Sequence, residues 1–517
     1  SGVDVTPFVG SEIKSINGQP AVDFIVQWSN SSIGLYKDLG TRFNLAITTF
    51  FMQRQQNRLD IPDTDSLTYV LTTESGERTI TVPWIGTTLQ SYSDKEHFAA
   101  SCLSSQTKLS AATLKHVVDP LYAVNDIPPS ATSDIVQLIN GEKISYYQIG
   151  DQVGVVKISD FGPSSIRQFA QDFQMSLYLA KLNNIPKLLI DLTNNGGGEE
   201  CLGYALVKYL FPNDFAQNYA TLFANSDMIH SELGAALALA GSKNQFEDNL
   251  WYPGHWRSTS GNVYKDNSWF STTISHTRGG STSNYTSLIK ENYCDSFFQY
   301  FTFDGSSQQL YPSDNLMLLS NGRCASTCAL FSRHLQESRK AKTIVVGGVL
   351  GLDQQIAQVP GGQVYEFDEI MADIKRYNLQ DNPHAPKDLP TSSRFRFAIR
   401  EAYSWAPGHG DTPLEFYFEA SDFRLPYTKD SATNSTLVWL DALKYFDICK
   451  GWQTRSCNME NGQGVQQCNG DTGKYDQPCK IATCNAGYGL VDNSCKPCST
   501  GYFKNETGLV CQHCTQP

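Results

Sequence analysis

The 517-residue chain is long enough for about two to four domains with a sizeable core. Apolar residues make up 40% and charged residues 18%, a globular balance rather than a disordered one. A net charge of −12 with no dense run of Lys or Arg argues against nucleic acid or an anionic membrane surface as the main partner, and no apolar run reaches the roughly 18 residues of a membrane span.

Residues 1–143 read as a β-rich region. Ser11-Glu-Ile-Lys-Ser-Ile-Asn-Gly-Gln-Pro20 places alternating apolar residues before an Asn-Gly turn, and Thr79–Trp84 alternates again. Ser104–Ser133, rich in Ser, Thr, Pro and Asp, reads as an exposed connection. Residues 144–445 change to strands alternating with helices. Val153–Ile158 is a strand, and Ile166, Phe169, Ala170, Phe173, Leu177 and Ala180 repeat at helical spacing. Lys187–Leu192 is a buried strand, followed by Gly196-Gly-Gly198 and a helix that stops before Pro212. Leu316–Ser320 is a strand, Ser326–Leu335 a helix and Thr343–Gly347 the next strand. Such a succession predicts an α/β core with parallel-sheet crossovers.

Residues 446–517 hold no long periodic segment but nine of the fourteen cysteines, the pattern of a small tail stapled by disulfides in an oxidising compartment. Trp452–Cys468 looks loosely like a thrombospondin-type repeat, and Cys484–Cys514 like the cysteine-rich modules of receptor ectodomains. Cys495-x2-Cys498 and Cys511-x2-Cys514 also have zinc-site spacing, but the neighbouring cysteines favour disulfides and no metal is expected. Four glycosylation sequons, at Asn30, Asn284, Asn434 and Asn505, agree with a secreted or extracellular chain, and an extracellular partner for the tail is the corresponding expectation. The chain begins at Ser1 without a signal-like apolar stretch, so residues are expected to have been removed ahead of it or to lie outside it.

Two loops carry the chemistry. In Asn194-Asn-Gly-Gly-Gly198, three glycines between strand and helix let backbone N–H groups approach a developing negative charge, the requirement of an oxyanion hole. No Gly-Lys-Ser or Gly-Lys-Thr follows, which sets a phosphate loop aside; a plain tight turn is the bland alternative. In Asn321-Gly-Arg-Cys-Ala-Ser-Thr-Cys328, Ser326 stands at a helix N-terminus, where the dipole would stabilise its alkoxide and the Thr327 N–H would point to the same place. A serine there can also be an ordinary cap.

Together the loops resemble one family, the tail-specific (C-terminal processing) serine proteases. Leu189–Gly198 is similar to their strand and Asn-Gly-Gly loop, Ala325–Phe331 to their nucleophile turn, and Val153–Ile158 to the strand before their first crossover helix. The resemblance covers about residues 144–445, and residues 11–25 look like the end of the family's PDZ-like part. It implies Ser326 as nucleophile, Thr327 with Gly197 or Gly198 as oxyanion donors, a peptide or protein substrate and no cofactor. Many members place a lysine about 25 positions after the serine, but Gly347–Gln355 contains none. The branch that includes the chlamydial protease-like activity factor is closer: there a Ser–His–Glu set replaces Ser–Lys, with the histidine before the PDZ-like region. Glu401 is the candidate for its carboxylate, with a surface glutamate the alternative.

That histidine would lie upstream of Ser1, and none of the nine present sits in a matching context; His97 is the fallback. Serine without an adjacent base is a poor nucleophile at neutral pH. The base is expected on a cleaved N-terminal fragment or a missing segment, or is absent. Two functions remain in view, a secreted serine endopeptidase and a protease-fold glycoprotein with a structural or adhesive role. Cys201, Cys294, Cys324 and Cys328 are expected to be paired or buried.

Overall fold

The computed structural model describes residues 3–54, 59–86, 91–102, 134–215, 219–244, 246–247, 249–302, 311–358, 364–387, 395–406, 408, 412–500 and 502–513; the connection expected at Ser104–Ser133 lies outside them. Strand β1 (Glu12–Ile16) turns at Asn17-Gly18 into β2 (Gln19–Pro20). Both turn residues have positive φ, 48° and 80°, as a tight hairpin turn requires. Helices α1 (Ala21–Ser32) and α2 (Leu39–Leu45) follow, then β3 (Ser66–Thr73) and β4 (Gly76–Pro83). The four strands form an antiparallel sheet in the order β2-β1-β3-β4. It buries Ile16, Leu67, Tyr69 and Leu71 against Ile25, Leu45, Phe50 and Phe51. The exposed helix α3 (Lys95–Cys102) comes next.

The central sheet begins with β5 (Ile135–Asn140), β6 (Ile144–Ile149) and β7 (Val153–Ile158). Only a few residues connect these three, too short for a crossover, so they pair antiparallel. Helix α4 (Ile166–Leu182), capped by Ser165 Oγ on Gln168 N–H, then crosses to β8 (Lys187–Asp191), parallel to β7. Helix α5 (Glu200–Leu210) follows β8.

Next the chain lays down a second sheet that the sequence reading did not distinguish from the core. This stretch carries β9 (Ser226–Met228), helix α6 (Glu232–Asn244), β10 (Trp256–Ser258) and β13 (Ile289–Glu291), with β11 (Thr273–Arg278) and β12 (Ser281–Thr286) forming a separate two-stranded ribbon. Back in the central sheet, β14 (Leu316–Ser320), α7 (Thr327–Glu337) and β15 (Lys342–Val346) continue the parallel order. Then β16 (Val364–Glu366), α8 (Phe367–Arg376) and β17 (Arg396–Ala398) follow, β16 and β17 pairing with each other, and β18 (Arg400–Ala402) returns to the second sheet beside β9. Its order is β10-β13-β9-β18, over a cluster that includes Trp251, Trp256, Trp269, Phe270 and Ile370. Strand β19 (Phe423–Leu425) and helix α9 (Ser435–Leu443) complete the core.

The central order is β19-β15-β14-β8-β7-β6-β5, five parallel strands extended by two antiparallel ones. The expected parallel sheet is therefore mixed. Its inner strands are apolar on both faces because both are covered. Leu188, Ile190, Leu316 and Leu318 meet α4, α5 and α7, whereas Leu189, Met317, Leu319 and Ile344 meet Val438, Trp439 and Ala442 of α9.

The tail is a set of short ribbons, led by β20 (Thr454–Met459), β21 (Gly462–Gln467) and β22 (Lys480–Cys484). Disulfides Cys449–Cys468, Cys457–Cys479, Cys484–Cys495 and Cys498–Cys511 hold it. Cys495 and Cys498 thus take separate sulfur partners instead of sharing a zinc ion. Tyr475 OH donates to Asp314 (2.6 Å), Trp452 Nε1 to Asp422 (3.2 Å), and Lys450 Nζ to the Asp422 carbonyl (2.9 Å), which docks the tail on the core. No helix among the described residues is long and apolar enough to cross a membrane.

Candidate active site

Strands β8 and β14 are neighbours, and the two loops singled out in the sequence leave their carboxyl ends side by side. Ligand sites in open α/β sheets form at such ends. The β8 loop is held at Asn195, which is fully buried. Its side-chain amide donates to the Ile158 carbonyl (2.9 Å), its Oδ1 accepts the Gly197 N–H (2.9 Å), and its carbonyl accepts the Ala325 N–H (3.1 Å). Asn194 and Asn321 tie the loops together through side-chain and backbone bonds of 2.8 and 3.2 Å. Asp191 accepts from Thr193 N–H and from Trp439 Nε1 of α9, which anchors the loop's first residues.

Gly197 and Gly198 have φ of 98° and 145°. A Cβ on Gly197 would stand 2.6 Å from Ser326 Cβ and 3.0 Å from Thr327 N, so only glycine allows the loops to touch. Ser326 itself adopts φ 52°, ψ −124°, a conformation rare for a residue with a side chain. It precedes α7 without capping it, and its hydroxyl makes no hydrogen bond among the described residues. Thr327 Oγ1 donates to the Gly198 carbonyl (2.7 Å) and closes the gap from the other side. The Thr327 and Gly198 N–H groups have no acceptor among the described residues, whereas that of Gly197 is taken by Asn195. Gly197 therefore matters for its missing side chain, and Gly198 carries the available donor. Ser326 is half-buried and Gly198 exposed, so the place where they meet opens to solvent.

Glu401, on β18, is bonded to Arg278. Beside it Asp227 accepts from Tyr403 OH (2.8 Å) and contacts His276 Nε2 (2.9 Å). Burial raises the Asp227 carboxyl above the ordinary range, partly offset by these hydrogen bonds. No motif marks this group in the sequence, since its members come from β9, β11 and the end of β18, far apart along the chain. His97 is exposed on α3 and contacts Ser93. His334 is on α7, but burial beside Trp405 pushes its pKa down to about 3. No histidine or lysine hydrogen-bonds Ser326 Oγ among the described residues. Asn30, Asn284 and Asn505 are exposed, whereas Asn434 is half-buried and caps α9. Cys201 pairs with Cys294, and Cys324 with Cys328.

Helix α2 covers the loop ends. Asn44 Nδ2 donates to the carbonyls of Asn321 (2.7 Å) and Val346 (3.0 Å), and Asn44 Oδ1 accepts the Gly348 N–H (2.7 Å). The lysine-free segment Gly347–Gln355 is pinned to the same helix region, since Gln355 N–H donates to Asp38 (3.2 Å). Asn44→Ala would remove all three bonds and leave the Asn321 carbonyl with only the longer bond from Gln354 Nε2 (3.3 Å). We expect a loss of about 2–4 kcal/mol, read as a lower urea midpoint; an unchanged midpoint would show that the clamp contributes nothing.

A mixed, helix-covered sheet presenting a strained serine against a glycine loop is the arrangement of a serine peptidase-like domain. The chain carries a domain of that class: residues 152–371 match the model of Peptidase family S41. The Peptidase S41 family protein ustP of Aspergillus flavus is 25% identical over 340 residues, covering 56% of this chain and 68% of that one. The Peptidase S41 family protein phomP1' of Diaporthe leptostromiformis is 25% identical over 362 residues, 56% of this chain and 52% of its own length, so the chain spans about half of that relative. Among solved structures, mature CPAF is similar at a TM-score of 0.44 and 16% identity, over 84% of this chain and 76% of that one. The photosystem II D1 C-terminal processing protease gives a TM-score of 0.25 at 11% identity, over 81% and 63%.

Proposed function

We propose that the chain is an extracellular serine endopeptidase acting on peptide or protein substrates. The observation that carries this reading is the meeting of Ser326 with Gly197, which brings a hydroxyl and two unengaged N–H groups to one solvent-open place. Ser326 Oγ attacks the peptide carbonyl, and the N–H groups of Thr327 and Gly198 hold the oxyanion. The proton acceptor is a histidine supplied from upstream of Ser1, and Glu401 orients it after exchanging its Arg278 partner. Residues 11–25 belong to a PDZ-like accessory part. The disulfides and the exposed sequons support an oxidising, extracellular setting.

A second reading, a glycosylated protease-fold protein with a structural or adhesive role, is favoured by the Glu401–Arg278 pair and by the absence of a base bonded to Ser326 among the described residues. A fluorophosphonate probe separates the two when applied to the longest precursor available. Wild type should be labelled, and Ser326→Ala should lose labelling by at least about 10³-fold. No labelling of the precursor, or equal labelling of Ser326→Ala, would overturn the peptidase reading.

A further inference from the structure

The Cys324–Cys328 disulfide closes a five-residue ring around Ser326, with a sequence separation of four against 11 to 93 for the others described. Both cysteines are fully buried. In the chain-entropy account, a disulfide stabilises the whole protein by restricting the unfolded chain, and the gain is smallest for the shortest loop. This bond is therefore placed where it contributes least to global stability.

Its local setting is different. The ring contains a serine at φ 52°, a conformation that persists only where its surroundings over-determine it. Hydrogen bonds from Ala325 N–H to Asn195, from Thr327 Oγ1 to Gly198 and from Gln358 N–H to the Cys324 carbonyl hold the turn at 3.1, 2.7 and 2.9 Å. Cys328 N–H also donates to the Ala325 carbonyl (3.0 Å) and Leu330 N–H to the Ser326 carbonyl (2.9 Å). The disulfide fixes the two ends of the turn at a Cα separation of 5.2 Å, and Cys328 already belongs to the first turn of α7. That crosslink restricts how far the three residues between can move toward an ordinary helix start.

We propose that Cys324 and Cys328 are a positioning pair, whose disulfide holds Ser326 Oγ and the Thr327 N–H in register with the Gly198 N–H. This rests on Ser326 being the nucleophile. The pair touches no substrate; it acts through the backbone of the turn.

The test is the double variant Cys324→Ala/Cys328→Ala, with two readouts. Hydrogen exchange of the Ala325 and Cys328 amides should become at least tenfold faster, while exchange in β14 and in the second half of α7 stays within twofold. The rate of fluorophosphonate labelling should fall at least thirtyfold, and for peptide hydrolysis the loss should appear in kcat with KM within about twofold. Unchanged exchange at Ala325 and Cys328, or acceleration spread equally over α7 and β14, overturns the proposal. So does unchanged labelling of a variant whose turn has loosened. If the alanine pair does not fold, Cys324→Val/Cys328→Ala keeps more buried volume and carries the same readouts; failure of both to fold overturns a local role in favour of a global one. If wild type is not labelled, the peptidase reading falls, and the exchange measurement alone decides whether the disulfide holds the turn.

Discussion

Gly197→Ala is expected to lower fluorophosphonate labelling of Ser326 by about 10²-fold or more while leaving the protein folded. The new methyl group would meet Ser326 Cβ at 2.6 Å, the Ala325 carbonyl at 2.7 Å and Thr327 N at 3.0 Å, and none of these is the end of a flexible side chain. At φ 98°, alanine would also be strained whatever space it found. The strands on either side are fixed by the sheet, so the turn must give. Moving it by a few tenths of an ångström displaces Ser326 Oγ and the Thr327 N–H together. We expect the stability cost to stay near 1–3 kcal/mol, because the displaced loop faces solvent on one side. Labelling within threefold of wild type, with a melting temperature also unchanged, would show that the two loops do not depend on this contact.

The second large effect concerns a buried charge group next to the same loop. Arg400 pairs with Glu200, in the first turn of α5, and with Glu291 of β13. One guanidinium serves two carboxylates, and desolvation beside Glu200 pushes the Glu291 pKa up to about 8 despite the pairing. Removing the cation by Arg400→Met should destabilise the protein by about 3–5 kcal/mol, since Glu291, buried in full, and Glu200, half-buried, would lose their shared cationic partner. The raised Glu291 pKa sets the sign of the pH dependence. Between its ordinary value near 4.5 and about 8, the folded state holds a proton that the unfolded state has released. This group's contribution to stability therefore falls as pH rises through that window, with a slope of at most about 1.4 kcal/mol per pH unit. Glu291→Gln should remove the slope, so its advantage over wild type should widen from pH 5 to pH 8. A constant offset between their urea midpoints over that range would sink the account.

Much of the site was legible because its geometry is local. A buried strand running into three glycines, and another running into Ala-Ser-Thr before an apolar helix, declare themselves within about ten residues each. The parallel pairing among β7, β8, β14 and β15 was expected from the alternation of strands and helices, but their order was not. What stayed hidden depends on distant partners. Asn195 stands inside the glycine motif, yet its role requires Ile158 and Ala325, 37 and 130 positions away. Asn44 lies in an unremarkable helix and reaches carbonyls 277 and 302 positions along the chain. The antiparallel extension of the sheet turned on connection length, which periodicity does not report. The second sheet was invisible for a similar reason: β9 and β18 have three residues each, and they pair across more than 170 positions.

The docking of the tail has a mechanical consequence. Asp314 lies just ahead of β14 and Asp422 just ahead of β19, at the amino ends of parallel strands, whereas Ser326 follows the carboxyl end of β14. A strand of five residues spans about 17 Å, so the tail is moored at the pole of the sheet opposite the serine. A force applied to the tail would therefore enter the core at the amino ends of its strands, at the end away from Ser326.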